Sequence, residues 1–201
     1  MRISRARNGT RASLGDGEDR VILSGLTWDD CETLDDALGP DRAGPRLYFL
    51  HGSVEVMSTS RRHEELKKWL ADLLAQYFLA RGVRAFPSGQ ATLKKLKEAL
   101  AEPDESWSFG ARKEVPDLVL EIALSSGGLS KLEIYAQLGV PEVWLWRKER
   151  LEIWTLGPNN ERYTGPLAES RALPGVPLRE LETCALIEDW TEAMARFHAT
   201  L

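Results

Sequence analysis

Three ionisable side chains in the stretch EPDESWSFGARKEVPDLVLEIALSSGGLSKLEIYAQLGVPEVWLW, residues 102–146, sit where packing alone would not put them. Asp104 heads a short strand-like run, Glu121 interrupts an apolar strand, and Lys131 falls on the apolar face of a helix. Two carboxylates on neighbouring strands repel unless a hard cation lies between them, and oxygen ligands select Mg²⁺ or Mn²⁺ over zinc. A lysine beside such a pair can position a water or stabilise a phosphorane-like transition state. Together these residue types point to metal-assisted hydrolysis of a phosphodiester.

The elements that must position them are legible from periodicity. DLVLEIAL has a period of two, with Leu118, Leu120, Ile122 and Leu124 on one face and Asp117, Val119, Glu121 and Ala123 on the other. A mid-strand Glu121 costs several kcal/mol of desolvation unless it is paired, hydrogen-bonded, cation-bound or protonated. A structural ion pair is the alternative reading of it. Asp104 alone would read as a Pro-Asp turn residue. It precedes ESWSF, however, and an antiparallel return through residues 112–115 can bring it alongside DLVLEIAL. In LSKLEIYAQLG, Ile134, Tyr135 and Leu138 define an apolar stripe that Lys131 shares. Asp117 lies on the face of Glu121 but at the strand entrance, where exposure is cheap.

Upstream, TWDDCETLDDAL predicts a helix capped by Thr27, with Asp30 in the capping-box position and Gly39-Pro40 as its stop. LYFL and SVEVM read as a hairpin around His51-Gly52, which makes His51 a turn residue. The longest helix is predicted over residues 60–80, with Leu66, Trp69, Leu70, Leu73, Leu74, Tyr77 and Phe78 on one face. His63 falls within that face, as a buried structural imidazole or as a polar group aimed into a cleft. Glu64 points away and reads first as a helix-dipole acid. VRAFPSGQATL predicts a strand or two broken at 87–89, and KKLKEALA a charged helical turn. The lysines of that turn, Lys94, Lys95 and Lys97, read as a solvated face or as phosphate contacts.

Downstream, VWLW and LEIWTL form a hairpin around RKER, ALPGVPLREL reads as an extended linker, and EDWTEAMARFHATL as a docking helix with Trp190, Met194, Phe197 and Leu201 on one side. Strand, helix, strand across residues 117–146 implies a right-handed crossover and parallel pairing. The core order is then helix 61–80, strand 83–93, strand 104–109, strand 117–124, helix 129–138, strand 142–146: αβββαβ.

Bulk properties bound the function. The 201 residues suit one domain over 24–201, with its core at 61–156, preceded by a disordered or loosely attached tail over 1–23. No apolar run approaches a membrane span, and the N-terminus lacks the apolar stretch of a secretory signal. Cys31 and Cys184 form no paired motif, which suits a reducing, cytoplasmic setting and excludes a four-cysteine zinc site. The net charge of −5 argues against a tight clamp on long duplex DNA. No helix-turn-helix or zinc-finger module is visible, so any nucleic-acid binding is expected to be weak or non-specific.

The motifs VEVMS…RRHE, EPDES, PDLVLE, SSGGLSKLEIY and GVPEVWLW together resemble the Uma-two family of restriction-endonuclease-like proteins, within the PD-(D/E)XK nuclease superfamily. The resemblance runs from about residue 24 to the C-terminus. It implies an α/β fold (α+β by some schemes), a restriction-endonuclease-like αβββαβ core with a mixed sheet flanked by helices, an N-terminal helix and hairpin, and a C-terminal hairpin and helix. It implies Asp104 and Glu121 as ligands of Mg²⁺ (or Mn²⁺), and His63 or Glu64 as an accessory polar position. Ala123 stands where the family pattern has lysine, and Lys131 looks like a replacement from the next helix. The implied partner is nucleic acid, with DNA expected, and a homodimer is open. Two other readings stay open: an inactive chain that keeps the nuclease fold as a binding or assembly module, and a dimeric interaction protein exposing Trp144, Trp146 or Trp154.

Overall fold

The alternation of DLVLEIAL is realised as a strand in the computed structural model, which describes residues 2–5, 18–39, 44–159 and 162–201. In chain order the elements are β1 (Arg2–Arg5), β2 (Arg20–Ser24), α1 (Trp28–Leu38), β3 (Arg46–Leu50), β4 (Ser53–Met57), α2 (Arg61–Arg81), β5 (Ala85–Pro87), β6 (Leu93–Lys95), β7 (Ala99–Ala101), β8 (Glu105–Phe109), β9 (Leu118–Ile122), α3 (Lys131–Leu138), β10 (Glu142–Arg147), β11 (Arg150–Leu156), β12 (Tyr163–Leu167), α4 (Leu178–Ala185) and α5 (Trp190–His198). They form two six-stranded sheets, ordered β1-β2-β4-β3-β7-β6 and β12-β11-β10-β9-β8-β5. In the second sheet β9 pairs parallel with β10 across α3, and its other pairings are antiparallel. The order α2, β5, β8, β9, α3, β10 is the αβββαβ core of a restriction-endonuclease-like fold, with β6 and β7 lent to the first sheet.

Burial follows the periodicities. Leu118, Leu120 and Ile122 of β9 join Trp144 and Trp146 of β10 under α2, α4 and α5, whereas Val119, Val143 and Leu145 face α3 and the first sheet. Leu66, Leu70, Leu73 and Leu74 of α2 are fully buried, each contributing about 2 kcal/mol. Helix α3 is therefore wedged between the two sheets, against Tyr48, Leu50, Ala99 and Ala101 of the first and Val119 and Val143 of the second. Trp144 and Trp146, at 0% and 1% exposure, are core, so they offer no interaction surface.

Several local expectations change. KKLKEALA is a hairpin turn between β6 and β7, not a helical turn. Its register pairs Lys95 with Ala99, Lys97 closes it at φ 62°, and Leu93, Ala99 and Ala101 are buried, which a helix over these residues could not achieve. The residues LREL, read as linker, open α4. Trp190 stays half exposed while Met194 and Phe197 dock α5. The stretch expected to be a loose tail supplies β2, which pairs with β4, and β1, which pairs with β2; residues 6–17 of it lie outside the described residues. Thr27 and Asp30 form the expected capping box. Both cysteines are free and buried. No helix among the described residues is long and apolar enough to cross a membrane.

A further buried carboxylate of the opening stretch fastens the C-terminal part to the sheet. Glu142, 1% exposed, accepts from Trp144 Nε1 (2.6 Å), Ser170 Oγ (2.5 Å), Arg171 N (2.8 Å) and Ala172 N (3.1 Å). Glu142→Ala strands four donors in a dry site. Urea denaturation is expected to show a loss of about 3–5 kcal/mol. A loss under about 1 kcal/mol would mean that water replaces the carboxylate.

Candidate active site between the two sheets

Antiparallel pairing sets Glu105 opposite Leu120, so one step further out Asp104 comes opposite Glu121. The side chain of Asp104 is fully buried, and its Oδ2 accepts the backbone N–H of Ile122 at 2.6 Å. Its Oδ1 contacts the Arg46 guanidinium, from β3 in the other sheet, and His63 Nε2, from the first turn of α2, at 2.7 Å. Ser60 fixes that turn by capping α2 through the His63 N–H. Asp104 is thus held by two hydrogen bonds and one ion pair, from three elements.

His63 is fully buried and reaches two carboxylates at once: Asp104 through Nε2 and Glu18 Oε1 through Nδ1, also at 2.7 Å. Both ring nitrogens must then donate, which makes the ring an imidazolium. A ring with both protons committed cannot act as a general base; it orients Asp104. Burial opposes its charge, but the hydrogen bonds to Asp104 and Glu18 outweigh burial and push its pKa up to about 9. For Asp104, burial is likewise outweighed, here by Arg46 and His63, and its carboxyl is held below the usual range.

Glu121 lies on the α3 side of β9 and accepts from Tyr135 Oη of α3, with Tyr48 Oη of β3 at 3.5 Å from its other oxygen. Burial, with the charge of Asp104 adding to it, pushes its pKa up to about 7 against the pull of Lys131. Lys131, whose side chain is 14% exposed, sits over the Tyr48 ring and 3.7 Å from Glu55 Oε1. Burial pulls its pKa down to about 8 despite the attraction of Glu121 and Glu55. Neither Lys131 Nζ nor Glu55 Oε1 has a hydrogen-bond partner, though both are buried.

The pattern reading did not find Glu18, Arg20, Arg46 or Glu55. Glu55 carried the same signal as Glu121, a carboxylate inside an apolar strand, in SVEVM. Pairing of Tyr48 with Glu55 and of Arg46 with Met57 puts Arg46, Tyr48 and Glu55 on one face of the first sheet, toward α3. Arg20 contacts Gly127 O (2.5 Å), Ser125 Oγ (2.7 Å) and Glu18 (3.1 Å), and so ties β2 to the loop that follows β9. That loop needs glycine: at Gly128, φ 91°, an added Cβ would lie 2.5 Å from Glu55 Oε2 and 2.6 Å from Arg20 Nη1. Of the residues singled out in the sequence, Asp104, Glu121, Lys131 and His63 meet in this interior. Glu64 stays at the rim, between Lys67 (2.5 Å) and Arg46 (3.3 Å). Asp117 caps a turn through Phe109 N and Lys113, and His51 pairs with Glu133 in the turn expected for it. Among the described residues, no three His, Cys, Asp or Glu side chains are grouped as a ready metal cage.

In chelator-treated protein, the His63 ring should titrate by NMR with a midpoint near 9 rather than near its ordinary 6.5. Because the folded pKa is the higher one, the stabilisation is fully present below pH 6.5 and is lost as pH rises through 9. It amounts to about 3 kcal/mol. Glu18→Gln should move the midpoint down, and a wild-type midpoint at or below 6.5 would refute the imidazolium assignment.

The family Uma2, described as "Putative restriction endonuclease", matches residues 28–185. Among solved structures, the crystal structure of "a putative nuclease belonging to DUF820" from Anabaena variabilis is similar over 82% of this chain and 98% of that one, at 13% identity and a TM-score of 0.46. No curated protein matches. The matched residues run from α1 to α4 and contain Arg46, Glu55, His63, Asp104, Glu121 and Lys131, so the chain belongs to the Uma2 family of restriction-endonuclease-like proteins.

Proposed function

We propose that this protein hydrolyses phosphodiester bonds of nucleic acid, with Asp104 and Glu121 holding Mg²⁺ or Mn²⁺. One observation carries the reading: two buried carboxylates face each other across adjacent strands, beside a buried lysine that lacks a hydrogen bond. The donors fit such an ion. They are hard oxygens, and two protein carboxylates suit Mg²⁺, which keeps several waters and takes other ligands from phosphate. Lys131 Nζ and Glu55 Oε1, ion-paired at 3.7 Å but without hydrogen bonds, also favour a further polar occupant. When bound, the ion polarises the phosphate and acidifies a water.

The chain's own residues then divide the work. Asp104 is oriented by His63 and by the Ile122 N–H. Glu121 is disfavoured as an anion by burial, so a neighbouring positive charge shifts it to the ionised form. Lys131 offers an ammonium whose proton is loosely held, suited to orienting water or to neutralising charge building on the phosphate. Tyr135 fixes the unshared face of Glu121, and Glu55 holds Lys131 from the opposite sheet. The proposed substrate is DNA, held weakly and without sequence preference, as a net charge of −5 requires. A second reading, an inactive binding module, is favoured by one fact: Arg46 and His63 already neutralise Asp104.

Plasmid nicking in Mn²⁺ separates the two. Glu121→Gln should lower the rate by about 100-fold or more, and Lys131→Met by a similar factor, with thermal unfolding shifted by only a few degrees. Equal activity in Glu121→Gln would sink the assignment. Inert wild-type protein on both DNA and RNA would favour the binding module.

A further inference from the structure

The buried array is already electrically closed. Four carboxylates, Glu18, Glu55, Asp104 and Glu121, face four cations, Arg20, Arg46, His63 and Lys131. With Glu121 ionised the sum is zero, and a divalent cation would leave two uncompensated charges in a medium of low dielectric. Offsetting both takes two changes, such as the departure of one resident cation from the interior and the arrival of one anion.

Three of the four have nowhere to go. Arg20 is held by Gly127, Ser125 and Glu18. Both nitrogens of His63 are committed. Lys131 is enclosed among Glu55, Tyr48 and Glu121. Arg46 differs. Its guanidinium covers Asp104 Oδ1, the oxygen a cation would take, yet Arg46 also lines a cleft of about 780 Å³ with Ser88, Gln90 and Thr92, with Lys94 (paired to Asp35), and with the carboxylates of Asp36 and Glu102. Its second nitrogen already leans out to the half-exposed Glu64, at 3.3 Å.

We propose that Arg46 is an exchange residue: it occupies the cation position on Asp104 in the metal-free protein, and swings into the cleft to hold the substrate phosphate when the metal enters. The planar guanidinium fork matches a phosphate as well as a carboxylate. Of the two positive charges that a divalent ion adds, one phosphodiester offsets one, and the move of Arg46 out of the interior into the open cleft, beside half-exposed Glu64, removes another from the buried array. Metal and substrate thereby favour each other's binding through one side chain. This rests on Asp104 being a metal ligand.

The test is Mn²⁺ calorimetry without nucleic acid on wild type, Arg46→Met and Asp104→Asn. Arg46→Met should bind Mn²⁺ about tenfold or more tightly than wild type, because the competing charge is gone. Its affinity for a short phosphorothioate duplex should fall by a similar factor. Binding that needs Asp104 but is equal in wild type and Arg46→Met overturns the exchange and leaves the nuclease reading standing. No Asp104-dependent binding in either protein overturns the nuclease reading, and the exchange with it. A measurement on the unmodified chain covers the case in which Arg46→Met does not fold. Arg46 is 4% exposed, so a dicarbonyl arginine reagent should reach it slowly, about tenfold faster with Mn²⁺ alone, and slowly again once duplex covers it. An unchanged rate of Arg46 modification, read by mass spectrometry, refutes the exchange.

Discussion

A single fully buried carboxylate, Asp104, sets the terms for the rest of this structure. An isolated carboxylate in such a place would be protonated or would unfold the protein. Asp104 stays ionised because three groups converge on it: Arg46 from the first sheet, His63 from α2, and the Ile122 N–H from β9. Each of these needs support of its own. His63 requires Glu18, Glu18 takes Ser125 and Arg20, and Arg20 grips the loop after β9. Segments more than 100 residues apart are thereby joined by charge rather than by apolar contact.

That arrangement is a poor way to stabilise a fold. Removing four carboxylates and four cations from water costs more than an apolar core of equal volume, and their mutual attraction recovers it only where every lone pair and proton is satisfied. Here satisfaction is incomplete at Arg46 Nη1, Lys131 Nζ and Glu55 Oε1. Around Glu18, Arg20 and His63 the hydrogen bonds close, whereas Lys131 Nζ and Glu55 Oε1 are left open beside Glu121. The closed half acts as scaffold, and the open half is the one the proposed chemistry would use. Helix α3 makes this division workable, since it lies between the sheets and presents Lys131 and Tyr135 to the open half while Ile134 and Leu138 fill the core.

Periodicity made part of this legible before any coordinates. The two-residue period of DLVLEIAL put Glu121 inward, and the helical period of LSKLEIYAQL put Lys131 on the buried stripe. Strand length and the turn between them allowed Asp104 to come opposite Glu121, which is where the register sets it. Arg46, Glu55, Arg20 and Glu18 could not be seen in the same way. Local pattern says which face a side chain takes on its own strand, but not which other sheet that face will meet. The hairpin at 93–101 was obscured for a different reason. KKLKEALA is rich in helix formers, and intrinsic propensity is a weak signal that tertiary pairing with β3 overrides.

The lysine is where this chain departs most from the pattern it resembles, and the fold gives the departure physical content. A lysine at position 123 would follow Glu121 by two residues, just past the end of β9, where the backbone N–H of residue 123 is paired to the Trp146 carbonyl. Lys131 instead begins α3, capped by Ser130, at the positive end of the helix dipole. That end disfavours a cation, as burial does, and both push the amine toward its neutral form. Glu55 and Glu121 counter them, leaving a pKa of about 8. An amine moved from strand to helix start is therefore not an equivalent copy. It becomes a group that can hold or release a proton near neutral pH, as a lysine held firmly by one carboxylate on a strand could not.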